Sequence, residues 1–225
     1  MKSVTLSHLF QFSWDQVVSG YWQRYPNPKS KHVLTEDVLE REVKGDKLIT
    51  KRLISKTNPL PQWAWKFIPG QKTSAFVIEE SIVDLRTKEF ITYTRNIGLQ
   101  TVSRVDEKCT YSPDPDNKEQ SICDRRYSVS SQVYGCSMMI TSFVSTRMKK
   151  NSYNAVKGME YVLRKLYIGE DEEQVVAKES MTKRAKDFAK SKAETVKSKA
   201  ENVKSKVHLP AKTSCETPIG VQDSS

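Results

Sequence analysis

Trp22-Gln-Arg-Tyr-Pro-Asn-Pro-Lys-Ser-Lys-His-Val-Leu-Thr-Glu-Asp37 is the corner around which this chain is organised. Upstream of it, Ser13 with Gln16 three residues on forms a capping box, which satisfies orphan amide donors at a helix start. Trp14, Val17, Val18, Tyr21, Trp22 and Tyr25 then recur at helical spacing and predict an amphipathic helix with an aromatic face turned to a core. Pro26 and Pro28 cannot continue that helix and push the residues before them toward extended geometry. Arg24 is therefore expected in the last helical turn and His32 at the mouth of the next strand. Both residues can serve structure or ligand. Arg24 would pair with a core carboxylate such as Glu79 or Glu107, or with an incoming anion; His32 would be a hydrogen-bonded structural histidine, or a donor to the same anion.

Outward from the corner, residues 3–12 read as a strand, with Val4, Leu6, His8 and Phe10 on alternate positions. Residues 32–43 and 47–57 flank Lys44-Gly45-Asp46 as a hairpin. Extended runs follow near 74–84, 89–96, 101–112 and 121–133, joined by short polar turns that predict one antiparallel meander. From Ser137 to Tyr167 the period changes to 3.6, with Val144, Met148, Ala155, Met159, Val162, Leu163 and Leu166 as the apolar face. A helix of about 30 residues spans about 45 Å, enough to cross a whole sheet. The chain is thus expected to be α+β: a curved antiparallel sheet gripping a long C-terminal helix, with room for a cavity between them. Residues 58–70 are different, since three prolines punctuate Trp63, Trp65, Phe67 and Ile68. This segment is expected to be a short helix packed on the core, or a lid whose apolar tip opens toward a ligand or membrane.

Three regions are expected: a folded domain over 1–169, a Lys/Ala/Glu-rich segment over 170–207, and a disordered end over 208–225. Within the second, Lys192-Ala-Glu-Thr-Val-Lys-Ser198 recurs as Lys199-Ala-Glu-Asn-Val-Lys-Ser205. Ala and Val at its heptad positions bury too little area for a strong coiled coil, so a helix conditional on a partner or membrane is expected.

The net charge of +10 sits mainly on the folded part: residues 1–169 hold 26 Lys/Arg against 17 Asp/Glu, residues 170–207 hold 10 against 8. Such a surface suits an anionic partner and also simply keeps a protein soluble. No apolar run reaches the length of about 18 residues that spans a membrane. The first residues lack the pattern of a secretory signal or an Arg-rich presequence, which leaves the cytosol or a signal-free import route. Cys109, Cys123, Cys136 and Cys215 show no CxxC and no metal spacing with the three histidines. Cys109 and Cys123 fall on neighbouring strands as two thiols or a disulfide. Phosphate-binding glycine loops, HExxH and GxSxG are absent, and the basic charge comes without a nucleic-acid-binding motif. The composition favours a binding or carrying module over an enzyme and over a nucleic-acid binder.

Arg24-Tyr-Pro-Asn-Pro-Lys-Ser-Lys-His-Val-Leu34, Leu60-Pro-Gln-Trp63, Thr92-Tyr-Thr-Arg-Asn96 and Lys157-Gly-Met-Glu-Tyr-Val-Leu-Arg-Lys-Leu166 closely resemble the PRELI/Ups family over residues 1–167. The repeat segment is similar to the late-embryogenesis-abundant-type tail of animal members. The resemblance implies a seven-stranded START-like sheet with a long C-terminal helix and an Ω-like lid. It implies a phospholipid transfer protein of the mitochondrial intermembrane space, working with a small twin-CX9C helical-hairpin partner on anionic membranes, without a cofactor. The Arg24 and His32-Val-Leu pattern resembles the phosphatidic acid branch, which feeds cardiolipin synthesis, more than the phosphatidylserine branch.

The same resemblance implies roles for particular residues. Arg24 matches a pocket-floor arginine; His32, which the resemblance does not assign, stays open as a donor to the same phosphate or a hydrogen-bonded structural histidine. Lys56, Arg147 and Asn151 match entrance positions. Leu60, Trp63, Trp65, Phe67 and Ile68 form the membrane-contacting lid. Asn154 stands where relatives carry a lysine, which puts the entrance contribution of that position in question; Lys150 and Lys157 are the nearby substitutes. A non-carrying basic scaffold is the alternative reading of the same charge.

Overall fold

The capping box forms as the sequence predicts. Ser13 Oγ accepts from the Gln16 amide at 3.5 Å, and Gln16 Oε1 accepts from the Ser13 amide at 3.0 Å. These bonds open α1 (Trp14–Tyr21), which follows β1 (Lys2–Phe10) in the computed structural model. The structure describes residues 1–57, 63, 74–100 and 102–169. The chain divides into two compact units, Met1–Asp171 and Glu172–Ser225. The expectations for 170–207 and 208–225, and for the lid residues Leu60, Trp65, Phe67 and Ile68, lie outside the described residues.

After α1 come β2 (Val33–Lys44), β3 (Lys47–Thr57), β4 (Ser74–Asp84), β5 (Glu89–Ile97), β6 (Arg104–Pro113) and β7 (Ser121–Ser130), then α2 (Ser137–Tyr167). The seven strands form one antiparallel sheet in the order β1-β7-β6-β5-β4-β3-β2. Consecutive strands from β2 to β7 are neighbours, as a meander requires. The first strand closes on the last, Lys2 pairing with Val129 and Phe10 with Ser121. A curved sheet of this topology holding a C-terminal helix is the START-like architecture.

Alternation decides which face is inside. Val83, Phe90, Cys109, Tyr111, Cys123 and Tyr127 are buried on the inner face, where α1 and α2 lie. Tyr21 meets Phe90 edge-on at 4.6 Å, Phe90 stacks on Tyr111 at 5.2 Å, and Trp14 Nε1 donates to the Tyr111 carbonyl at 3.1 Å. Each such ring, fully buried, contributes about 1.5–3 kcal/mol.

Two glycines set the helix contacts. A Cβ on Gly20 would lie 2.7 Å from Leu163 Cδ2, so α1 approaches α2 where no side chain intervenes. A Cβ on Gly158 would lie 2.7 Å from Asn27 Oδ1, so the 22–37 corner itself sits against α2.

Three details differ from the expectation. α1 stops at Tyr21, before the prolines: the Trp22 amide donates back to Gly20 and Ser19, and the Arg24 guanidinium occupies the Tyr21 carbonyl at 3.1 Å. Arg24 therefore lies beyond the helix rather than in its last turn. β6 and β7 are shorter at the ends toward 101 and 133. The buried stripe of α2 runs through Met159, Val162 and Leu163 but leaves Leu166 exposed, and farther toward the N-terminus it is made of Ile140, Thr141, Ser145 and Ser152.

Candidate functional site

The corner delivers Arg24 to the inner face of the sheet, where it meets Glu79 of β4 and Arg52 of β3. Glu79 Oε2 accepts from Arg24 Nη2 at 2.8 Å, and Glu79 Oε1 accepts from Arg52 Nε at 3.1 Å and from Arg52 Nη2. Arg52 Nη1 goes on to Glu36 Oε1 at 2.7 Å. Register explains the meeting, because Arg52 pairs directly with Glu79 across β3 and β4. All three are deeply buried, Arg24 at 9% exposure, Arg52 at 1% and Glu79 at 4%. Aromatic faces complete the enclosure: the Arg24 guanidinium lies 3.6 Å from the Tyr21 ring centroid, and that of Arg52 lies 4.9 Å from Trp22. Burial pushes the Glu79 carboxyl up, but the charges of Arg24 and Arg52 outweigh it and hold the group below its ordinary range. Burial opposes the charge of Arg24 too, and Glu79 together with Tyr21 and Tyr25 more than restores it. Two guanidiniums and two carboxylates make this lower cluster neutral in sum, although Glu36 Oε2 is buried without a partner among the described residues.

A second cluster brings together three residues that the sequence singles out. His32 ends the corner, Lys56 pairs with Val33 across β2 and β3, and Arg147 projects from α2. All three are half-buried. The His32 imidazole is held below its ordinary value, first by burial and then by the positive charges of Lys56 and Arg147. Both cations are thus within electrostatic reach of the ring, one carried by β3 and one by α2. Burial alone pulls the Arg147 guanidinium down. Asn151 is half-buried one turn farther along α2. Arg52 and Lys56 share the inner face of β3, about 13 Å apart at strand rise. The structure thus brings His32, Lys56 and Arg147 into one group and holds Arg24 in another.

Trp63, the one lid residue described, packs edge-on against Phe143 of α2 with ring centroids 5.4 Å apart. Asn154 is half-buried, and Lys157 is engaged over the Tyr153 ring at 5.1 Å.

Arg52 and Glu36 were not singled out from the sequence. The available signal was positional: Arg52 stands in the inward set of β3 with Leu48, Thr50 and Ile54, and a charge in such a set needs a partner. Glu107, the other carboxylate considered for Arg24, instead accepts from Arg125 Nη1 at 2.9 Å. Cys109 and Cys123 are buried free thiols. Among the described residues, no group of three His, Cys, Asp or Glu side chains is placed to hold a metal. A half-open groove of about 470 Å³ lies among Tyr93, Arg95, Lys108 and Arg126, with Glu80 and Asp106 balancing its charge. These side chains alternate with the inward ones, so the groove belongs mainly to the opposite face of the sheet; it reaches Glu107 but includes neither the Arg24–Glu79–Arg52 cluster nor His32, Lys56 and Arg147.

Residues 15–170 match the PRELI-like family. The human protein called PRELI domain-containing protein 1, mitochondrial, is 44% identical over 156 residues, covering 68% of this chain and 71% of that protein. Its Gallus gallus counterpart is 43% identical over 155 residues, covering 68% and 72%. The Saccharomyces cerevisiae protein UPS1, mitochondrial, is 33% identical over 162 residues, covering 71% and 91%. Among solved structures, a Thermus thermophilus protein superposes with a TM-score of 0.52 at 14% identity, covering 74% of this chain and 99% of that one, a likeness of fold alone. With the family match spanning most of the folded unit and curated relatives that are named mitochondrial, this chain belongs to the PRELI-like family.

Proposed function

We propose that this protein is a phospholipid carrier that takes up phosphatidic acid and moves it between mitochondrial membranes, supplying cardiolipin synthesis. The observation that carries the reading is the His32, Lys56 and Arg147 group, a half-buried cationic patch assembled from sheet, corner and helix. A phosphate monoester carries one to two negative charges at neutral pH, and moving it into a low-dielectric interior without cations is prohibitive. Lys56 and Arg147 supply that charge at partial burial, where a charge-assisted hydrogen bond is stronger than in water. His32, neutral at pH 7 because its proton affinity is lowered, donates one N–H to the phosphate without adding charge. Asn151 adds a neutral donor one turn on.

Deeper in, Arg24 offers a planar fork suited to phosphate, but Glu79 engages it. Headgroup capture therefore falls to the upper group, and Arg24 engages only by exchanging its carboxylate for the phosphate. The lid around Trp63 covers the bound lipid and contacts the bilayer. A small twin-CX9C protein of the intermembrane space is the proposed partner. No bond is made or broken in this cycle.

The decisive experiment is transfer between two liposome populations, with phosphatidic acid and phosphatidylserine in parallel. Faster transfer of phosphatidic acid is expected. Equal or faster phosphatidylserine transfer would move the protein to the other branch. No transfer of either, with no phospholipid retained in native mass spectrometry, would leave a basic scaffold instead.

A further inference from the structure

We propose that the β7–α2 junction, with Tyr134 and Met138 at its tip, is a second membrane-docking element that seats the protein on an anionic bilayer. Three large apolar side chains stand in solvent here: Tyr134 is 101% exposed, Met138 88% and Met139 48%. The junction presents Tyr134 on a tied loop and the two methionines on the first turn of α2. Ser137 Oγ donates to the Ser131 carbonyl at 2.9 Å, the Val133 amide donates to Ser131 Oγ at 3.3 Å, and the Cys136 amide donates to the Val133 carbonyl at 3.3 Å. Gly135 takes the left-handed conformation, φ +73°, that turns Tyr134 outward. With its backbone already tied, the loop that carries the ring and the helix turn that carries the thioether insert with little further loss of backbone entropy.

Charge identifies the occupant. From Arg125 to Met159 the chain holds no Asp or Glu, while it carries Arg147, Lys149, Lys150 and Lys157 beyond the junction. Lys149 and Lys150 are exposed and stand eleven residues after Met138 and Met139, so they share the same helix face about 16 Å farther along. An apolar tip followed by lysines on one acid-free face fits an anionic bilayer, with the tip below the headgroups and the ammonium groups among them. α2 also opens without an acidic residue in its first turn and without a capping side chain on Cys136, so the helix start itself brings no negative charge.

The placement deepens the carrier reading on which it rests. Phe143, which holds Trp63, lies about 7 Å along α2 from Met138, and Arg147 about 14 Å. A headgroup leaving the bilayer beside the tip is led along α2 to the cationic group.

The test compares full-length protein with Tyr134→Ser/Met138→Ser and, separately, Lys149→Glu/Lys150→Glu. Co-sedimentation is measured with phosphatidylcholine vesicles with and without phosphatidic acid. Each double variant is expected to bind anionic vesicles about tenfold more weakly with unchanged thermal unfolding, and the Tyr134/Met138 variant with unchanged phospholipid retention in native mass spectrometry. Vesicle binding within about twofold of the parent for the Tyr134/Met138 variant overturns the proposal, and a loss of binding to a protein partner in that variant would assign the tip to protein contact. Loss of retained phospholipid in the parent protein would overturn the carrier reading, while vesicle binding still judges the tip.

Discussion

Arg24 Nη2 and Glu79 Oε2 meet at 2.8 Å in the interior of the sheet, and the same carboxylate also holds Arg52. One acid thus keeps two buried guanidiniums in place. Removing it leaves both charges without their main counter-ion, a change that typically costs 3–5 kcal/mol. Glu79→Gln is expected to lower stability by about 3–5 kcal/mol in urea unfolding. A loss under about 1 kcal/mol would mean that the arginines find other partners.

The same geometry changes how an arginine variant must be read. Arg24→Glu places a second carboxylate against Glu79, so it is expected to unfold the domain, and its failure to transfer lipid would not report on the headgroup. Arg147→Glu sits at a half-buried position and keeps the core. It is expected to melt within a few degrees of the parent and to transfer phosphatidic acid about 10–100-fold more slowly. Normal transfer by a folded Arg147→Glu protein would remove Arg147 from the site.

In the carboxylate range acid should act through Glu79. Its folded proton affinity is depressed from the ordinary 4.5. The associated stability is complete above that value and is lost as pH falls through the lower folded value. Unfolding free energy measured against pH should therefore fall below about pH 4.5, and Glu79→Gln should flatten that segment.

His32 has the same sign of dependence over a higher range. Its folded value is lowered from 6.5, so the unfolded chain binds the proton first. Stability of the unloaded protein should decline as pH drops below 6.5 toward the folded value, and His32→Gln should remove that slope. A slope unchanged in the variant would assign it to another group.

Gly158 is a test of packing alone. The Asn27 side chain that a Cβ would strike is not free to move away, since its Nδ2 donates to the Arg24 carbonyl at 2.6 Å and its Oδ1 accepts from the Lys29 amide at 2.9 Å. Gly158→Ala is expected to cost about 1–3 kcal/mol, read as a lowered midpoint in thermal unfolding.

The elements were legible where a local rule governs them. Ser13 and Gln16 start α1, Lys44-Gly45-Asp46 turns the hairpin, and the change of period at Ser137 starts α2. The end of α1 was not, because the group that stops it is a side chain three residues on: Arg24 captures the Tyr21 carbonyl while being drawn to Glu79. Arg52 was hidden for a similar reason. Nothing next to it in sequence marks it, and its partners lie 16 and 27 residues away. His32, Lys56 and Arg147 were separately conspicuous, yet their proximity depends on α2 returning to the 22–37 corner, which no window of sequence contains.

The strand order has a mechanical consequence. β1 and β2 are joined in sequence by α1 and the corner, yet they occupy opposite margins of the sheet. That segment is therefore a tie-rod across the concave side, bolted at mid-span by Gly20 against Leu163 and by Asn27 against Gly158. Pulling the margins apart would load the rod in tension and shear those contacts. Exchange with the interior by spreading the sheet is thus resisted, and movement on the side of the sheet that the rod does not cross is mechanically the softer route.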